Sequence, residues 1–270
     1  MTRSAVHSLR AEALTLAYDG RTVIDRLDLE IPDGRITAIV GPNASGKSTL
    51  LRGLARLMRP EAGRVSLDGR DIRSYPPREF ARRVAVLPQQ PVAPEGVLVA
   101  ELVSRGRHPH RGWFGARSSD DDRVVAEVLE ATGTAELADR AVSELSGGQR
   151  QRVWIAMALA QRSDILLLDE PTSFLDVSHQ LELLDLLTES NREHGTTVVM
   201  VLHELNLAAR YADHLVVVDG GRIAAAGEPA EVMTAETVGA AFDLDCIVAD
   251  DPVTGDPMLV PIGRFHRAAE

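Results

Sequence analysis

Apolar and polar residues alternate near the start of the chain. Leu14, Leu16 and Tyr18 are separated by small or polar neighbours, and Leu27, Leu29 and Ile31 alternate with Arg26, Asp28 and Glu30. A period of two predicts strands with one buried face. Asp19-Gly20 and Asp33-Gly34 are the turn dipeptides that follow them. Arg35–Val40 breaks the alternation with a nearly continuous apolar run, the pattern of a strand covered on both faces. An amphipathic helix is then expected over Lys47–Leu57. Short apolar runs predict further strands at Val65–Leu67, Val84–Leu87, Ile165–Leu168 and Thr197–Leu202.

From about Val97 to Gln161 the pattern is helical, with breaks at 106–118 and at Gly133. Leu181, Leu184 and Leu187 mark one face of a helix that Gly195 ends. His214–Val218 and Arg222–Ala226 flank Asp219-Gly-Gly221 as a hairpin. Asp243–Pro261 holds two short apolar runs around Pro252-Val-Thr-Gly255-Asp-Pro257, a second hairpin. The order predicts an α/β core, an antiparallel β portion from the N-terminal stretch, and a helical insertion between about 90 and 160.

The chemistry begins at Lys47. It is the one lysine in the sequence, against 28 arginines. It lies in Gly41-Pro42-Asn43-Ala44-Ser45-Gly46-Lys47-Ser48-Thr49, between an apolar strand and a helix. A glycine-rich loop in that context wraps phosphates with backbone N–H groups, backed by the positive end of the helix. A compact ammonium fits such a socket and a planar guanidinium does not. The second element is Ile165-Leu-Leu-Leu168-Asp169-Glu170, an apolar strand that delivers two carboxylates to its C-terminal edge. Asp169 suits Mg²⁺ together with the Ser48 hydroxyl. Glu170 suits the general base that polarises an attacking water.

Composition narrows the class. Hydrophobic residues make up 44% and charged residues 26%, as in ordinary globular proteins. The formal net charge of −11 disfavours nucleic acid and anionic lipid as partners. One cysteine, Cys246, allows no intrachain disulfide, as expected in a reducing cytosol. Met1–Ala13 lacks an apolar signal core, and no run approaches the roughly 20 apolar residues of a membrane helix.

The third element is Leu145-Ser146-Gly147-Gly148-Gln149, which opens a helix through Arg150-Gln-Arg152-Val-Trp154. With the phosphate loop before it and the acidic strand after it, the chain resembles the ATP-binding cassette (ABC) ATPases over about residues 9 to 262. The resemblance implies a P-loop NTPase core with a RecA-like mixed sheet, an antiparallel β subdomain and a helical signature subdomain. It implies one ATPase domain over 1–270, with the core at about 1–90 and 162–242, the helical part at about 91–161 and a tail hairpin at about 243–270.

It also implies roles for further residues. Gln89 matches the glutamine that contacts Mg²⁺ and the lytic water, Tyr18 the aromatic that stacks on adenine, and His203 the histidine that bridges Glu170, the γ-phosphate and the partner subunit. Asp176 falls in Ser173-Phe174-Leu175-Asp176, where Phe174 departs from the alanine usual in the family. Two copies are then expected to clamp Mg-ATP head to tail, each presenting Ser146, Gly147, Gly148 and Gln149 to the nucleotide held by the other.

The segment Ala93–His110 and the runs Leu175–Gln180 and Pro252–Pro257 resemble the iron-siderophore, haem and cobalamin uptake ATPases. Ferric siderophore import is the first expectation, with haem or cobalamin import behind it and a soluble non-transport cassette last. The expected partners are permease subunits, and an extracytoplasmic binding protein indirectly, with the chain peripheral on the cytoplasmic face of the membrane. His108 and His110 are expected in a solvated loop of the permease interface, and Asp120-Asp-Asp122 in the first turn of a helix.

Overall fold

The computed structural model describes residues 7–111 and 118–263. In chain order come β1 (Leu9–Tyr18), β2 (Arg21–Ile31), β3 (Ile36–Val40), α1 (Lys47–Leu54), β4 (Ala62–Leu67), β5 (Arg70–Asp71) and α2 (Pro77–Arg83). Then follow β6 (Val84–Leu87), α3 (Val99–Arg105), α4 (Ser119–Ala131), α5 (Gly147–Ala160), β7 (Ile165–Asp169) and α6 (Val177–His194). The last are β8 (Thr197–Val201), α7 (Leu205–Tyr211), β9 (His214–Asp219), β10 (Arg222–Gly227), α8 (Pro229–Val232), α9 (Ala235–Phe242), β11 (Cys246–Asp250) and β12 (Pro257–Pro261). The result is a mixed α/β fold. It divides into two compact units, one made of 73–198 and the other of the chain on either side.

In the flanking unit, β1 pairs antiparallel with β2 and β4, and β4 with β5. The first strand starts at Leu9, earlier than the alternation from Leu14 suggests. Leu9 and Ala11 are buried in one phase, Leu14 and Leu16 in the other, and the register shifts between Ala11 and Leu14. An extra residue, Ala13 at φ 44, resets the phase. Arg26 at φ 46 does the same between buried Ile24 and Leu27.

Strand β3 is buried along its whole length and pairs parallel with β9, which turns back antiparallel into β10. Helix α1 packs on β1 and β2. It ends at Leu54 rather than Leu57, because Arg56 turns left-handed at φ 61 and the N–H groups of Leu57 and Met58 return to the Arg52 carbonyl. The tail hairpin forms in register from Cys246↔Pro261 to Asp250↔Pro257. Asn206 ties it to α7, accepting from the Leu259 N–H and donating to the Leu259 carbonyl, and Arg210 pairs with Asp251.

In the middle unit, β6 runs parallel to β7 from Val84↔Ile165 to Leu87↔Leu168. Helices α3, α4 and α5 pack on one another. Ser118 caps α4, its Oγ accepting the Asp121 N–H. The expected acidic first turn is present, and its middle member is buried: Arg107 Nε donates to Asp121 Oδ1 at 2.9 Å, with both side chains about 5% exposed. Burial raises the Asp121 pKa, but the Ser118 N–H and the Arg107 guanidinium outweigh it and hold the carboxyl below its ordinary 3.8.

The segment around His108 and His110 is a 3₁₀ turn in which His108 is exposed, as expected, while His110 is half-buried, its Nε2 2.6 Å from the Gln161 carbonyl, and Arg78 and Arg82 donate to the Pro109 carbonyl. These partners lie 27 to 51 residues away in sequence, so hydropathy does not reveal them. Of the break expected at 106–118, residues 112–117 lie outside those described.

Removing Arg107 leaves a buried carboxylate without its cation. Arg107→Met is expected to destabilise by about 3–5 kcal/mol in urea unfolding. Because the folded pKa of Asp121 is lowered, its stabilisation is present above 3.8 and lost as pH falls through the folded value. The stability gap between wild type and Asp121→Asn therefore narrows on acidification.

Candidate functional site

The flanking unit carries the phosphate loop. Strand β3 ends at Val40, and the chain turns through Gly41 at φ 151. A Cβ on Gly41 would collide with the Val218 carbonyl, so only glycine passes β9 at this point. Pro42 accepts the Ser45 N–H at 3.3 Å. Gly46, at φ 108, caps α1, and a Cβ there would lie 2.8 Å from Ile24 Cδ1.

Lys47 opens α1 and is 5% exposed. Its Nζ donates to the Gly41 and Pro42 carbonyls at 2.9 and 2.8 Å. The ammonium is thus folded back on its own loop as a compact point charge held by two carbonyls. Thr49 is buried beside it and Ser48 half-buried, whereas Asn43 and Ala44 are exposed at the tip.

The loop fits a nucleotide phosphate on two observations. Ser45 Oγ is buried without a hydrogen-bond partner among the described residues. Helix α1 starts at Lys47, so the loop sits at its positive end, which favours anions. Tyr18, at the end of β1, is 43% exposed and accepts a hydrogen bond from Arg52 at 3.1 Å. His203 follows β8 and is exposed. Gly221, which the sequence marks only as part of a hairpin turn, also belongs here. The Gly221 N–H donates to the Ser45 carbonyl at 3.0 Å, and its carbonyl accepts the Asp25 N–H. Its φ of 77 and the Val23 carbonyl against its Cα require glycine. The Gly-Gly doublet in the β9–β10 turn was the available signal.

The middle unit carries the carboxylates. Every residue of β7 is buried, including Asp169 at 1% exposure. Glu170 follows at φ 54, a left-handed conformation unusual for a side chain of its size. Its Oε2 accepts from Gln89 Nε2 at 2.8 Å and from Ser173 Oγ at 3.1 Å. Two donors favour the ionised carboxylate, the form a general base needs. With its amide nitrogen used on Glu170, Gln89 keeps its amide oxygen as a donor for a hard cation. Carboxylate and amide oxygens are among the donors that Mg²⁺ takes.

The same unit holds the signature. Ser146 Oγ accepts the Gln149 N–H at 3.2 Å, and Gln149 Oε1 accepts the Ser146 N–H at 3.1 Å, a reciprocal cap on α5. Gly147 and Gly148 form the first turn. Asp176 caps α6. The His179 N–H, with Ser178 and the His179 ring, holds its carboxyl below the ordinary range. Each unit thus gathers its own share of the expected residues: Tyr18, the phosphate loop and His203 in one, Gln89, the signature, Asp169, Glu170 and Asp176 in the other.

A phosphate loop after a parallel strand, and a second parallel strand ending in two carboxylates, define a P-loop nucleotide-hydrolase fold. The family model described as ABC transporter matches residues 24–173, and the chain belongs to that family. The chain is 53% identical over 264 residues to the ferric enterobactin transport ATP-binding protein FepC of Escherichia coli (strain K12), covering 98% of this chain and 97% of that one. An inward-facing metal-chelate type ABC transporter superposes with a TM-score of 0.81 at 30% identity, covering 96% of this chain and 98% of its counterpart. The ATP-binding cassette MJ0796, in a dimeric post-hydrolysis state with ADP and Pi, superposes at 0.74 and 29% identity, covering 82% and 98%.

Gly221→Ala is expected to cost about 1–3 kcal/mol through left-handed strain and the clash with Val23. It is also expected to weaken nucleotide binding, since Gly221 fastens the loop at Ser45. Urea unfolding and titration with a fluorescent ATP analogue measure the two effects.

Proposed function

We propose that this chain is the ATP-hydrolysing subunit of an importer and powers uptake of a ferric siderophore through separate permease subunits. The observation that carries the reading is near-full-length identity to FepC, whose name states ferric enterobactin transport. Among the described residues no helix is long and apolar enough to cross a membrane, so attachment to the cytoplasmic face would be peripheral, through the permease. An extracytoplasmic binding protein would select the cargo upstream, and nucleic acid has no part. The whole chain acts as one ATPase domain, with core, helical part and tail hairpin at the boundaries expected above.

The residue roles follow the same reading. The loop from Gly41 to Thr49 and Lys47 Nζ hold the phosphates, and Tyr18 stacks on adenine. Ser48, Gln89 and Asp169 would hold Mg²⁺, which neutralises charge on the phosphate oxygens. Glu170 takes the proton of the attacking water, and His203 steadies the γ-phosphate. Ser146, Gly147, Gly148, Gln149 and Asp176 serve the nucleotide of a second copy in a head-to-tail homodimer, a dimeric state that the MJ0796 cassette also adopts.

Glu170→Gln keeps its shape and loses its basicity. It is expected to bind ATP, to lose hydrolysis by about a hundredfold or more, and to accumulate as an ATP-bound dimer in size-exclusion chromatography. A monomeric, fully active variant contradicts the assignment. Lys47→Ala is expected to weaken ATP binding, and unchanged affinity removes Lys47 from the phosphate site. For the cargo, a deletion strain is expected to lose growth on a ferric siderophore as iron source while growing on ferrous iron.

A further inference from the structure

The buried polar residues of the middle unit include one that the roles above do not use. Gln151 sits two residues past the signature on α5 and is 7% exposed. Its Nε2 donates to the Pro171 carbonyl at 2.9 Å, in a buried hydrogen bond. Pro171 is itself buried and directly follows Glu170. Upstream of Glu170 the backbone is fixed by β7. Downstream, the Ser173 N–H returns to the Glu170 carbonyl at 3.2 Å, and Pro171 has no N–H with which to hold itself. Gln180 Nε2 reaches the next carbonyl, Thr172, only at 3.5 Å, so the Gln151 amide is the shorter hold on this left-handed corner from outside. It grows from the helix whose first turn is the signature.

We propose that Gln151 is a positioning residue. Its hydrogen bond to Pro171 fixes the peptide after Glu170, and so the direction of the Glu170 carboxylate. It couples that direction to the placement of the Ser146–Gln149 helix end. This rests on Glu170 being the general base. A carboxylate displaced by a fraction of an ångström loses its line to the water while nucleotide binding at the phosphate loop is untouched.

The test uses the whole chain, three single variants and one double variant. Gln151→Met fills the space without a donor, and Gln151→Glu has a donor only when protonated. Glu170→Gln is the reference. Gln151→Met is expected to lower kcat about tenfold or more, with the affinity for a fluorescent ATP analogue held within about twofold. The ratio of Gln151→Glu activity to wild type is expected to rise as pH falls from about 8 to about 6, as the buried carboxyl gains its proton and regains a hydrogen bond to Pro171. Gln151→Met added to Glu170→Gln is expected to cause no further loss.

Unchanged kcat in folded Gln151→Met overturns the proposal. So does a flat pH ratio for Gln151→Glu, or parallel loss of kcat and ATP affinity, which marks a merely structural contact. If Gln151→Met does not fold, the Gln151→Glu ratio decides alone. Residual full activity of Glu170→Gln would sink the general-base reading itself, whereas an inactive Glu170→Gln beside a wild-type-like Gln151→Met sinks only the positioning role.

Discussion

The hydrogen bonds that converge on Glu170 are the constraint around which the middle unit is built. A carboxylate at the end of a fully buried strand would be costly if left without donors. Here it takes an amide from Gln89 and a hydroxyl from Ser173, at a backbone angle that side chains rarely adopt. Strain of that kind persists only where neighbours over-determine it. The neighbours are a β-strand below, the Ser173 return turn beside it, and the Gln151 amide on the peptide that follows. In the proposed role of base, Glu170 would be ordered before turnover rather than during it.

The phosphate loop is organised by a different balance. Backbone collisions demand glycine in the loop at Gly41, against β9, and in the β9–β10 turn that fastens it at Gly221, against β2. Lys47 is buried, yet its ammonium is solvated by two loop carbonyls, which reduces the penalty of taking a charge out of water. Lysine exchanges such partners for a phosphate oxygen by rotating a flexible stem, while a guanidinium presents its donors in a fixed plane. In a chain that otherwise uses arginine, this explains why position 47 does not.

Much of this was legible in sequence. The continuous apolar runs gave β3, β7 and β8 to within a residue or two, and the punctuating glycines gave both hairpins and the end of α6. The misses have local causes. The start of β1 was hidden by the slip at Ala13, because a bulge reverses which residues of an alternating pattern face inward. Helices α2, α7, α8 and α9 span eight residues or fewer, too short for a 3.6 period to stand out. Gln151 was lost in the polar run Gln149–Arg152. Its spacing with Ile155 and Ala158, both buried, places it on the inward face of α5 and was the signal available. His110 gave no signal, since its partner is a backbone carbonyl.

Gly147 and Gly148 carry a further implication. Unlike Gly41 and Gly221, they do not need positive φ, being ordinary helical residues in the first turn of α5. A Cβ on Gly147 would sit 3.8 Å from Phe174 Cβ, and one on Gly148 would sit 3.4 Å from Leu175 Cδ2, both ordinary contact distances. Among the described residues nothing forbids alanine at either place, and glycine in a helix costs up to about 1 kcal/mol relative to it. A cost without an internal reason points to a requirement from outside the chain. Close approach of a phosphate to the bare backbone of a capped helix N-terminus is such a requirement. The exposed ring of Phe174, 77% accessible and held at φ 67 beside this turn, borders the same surface. The two glycines thus fit the proposed head-to-tail dimer, in which a second copy would bring the other half of the site.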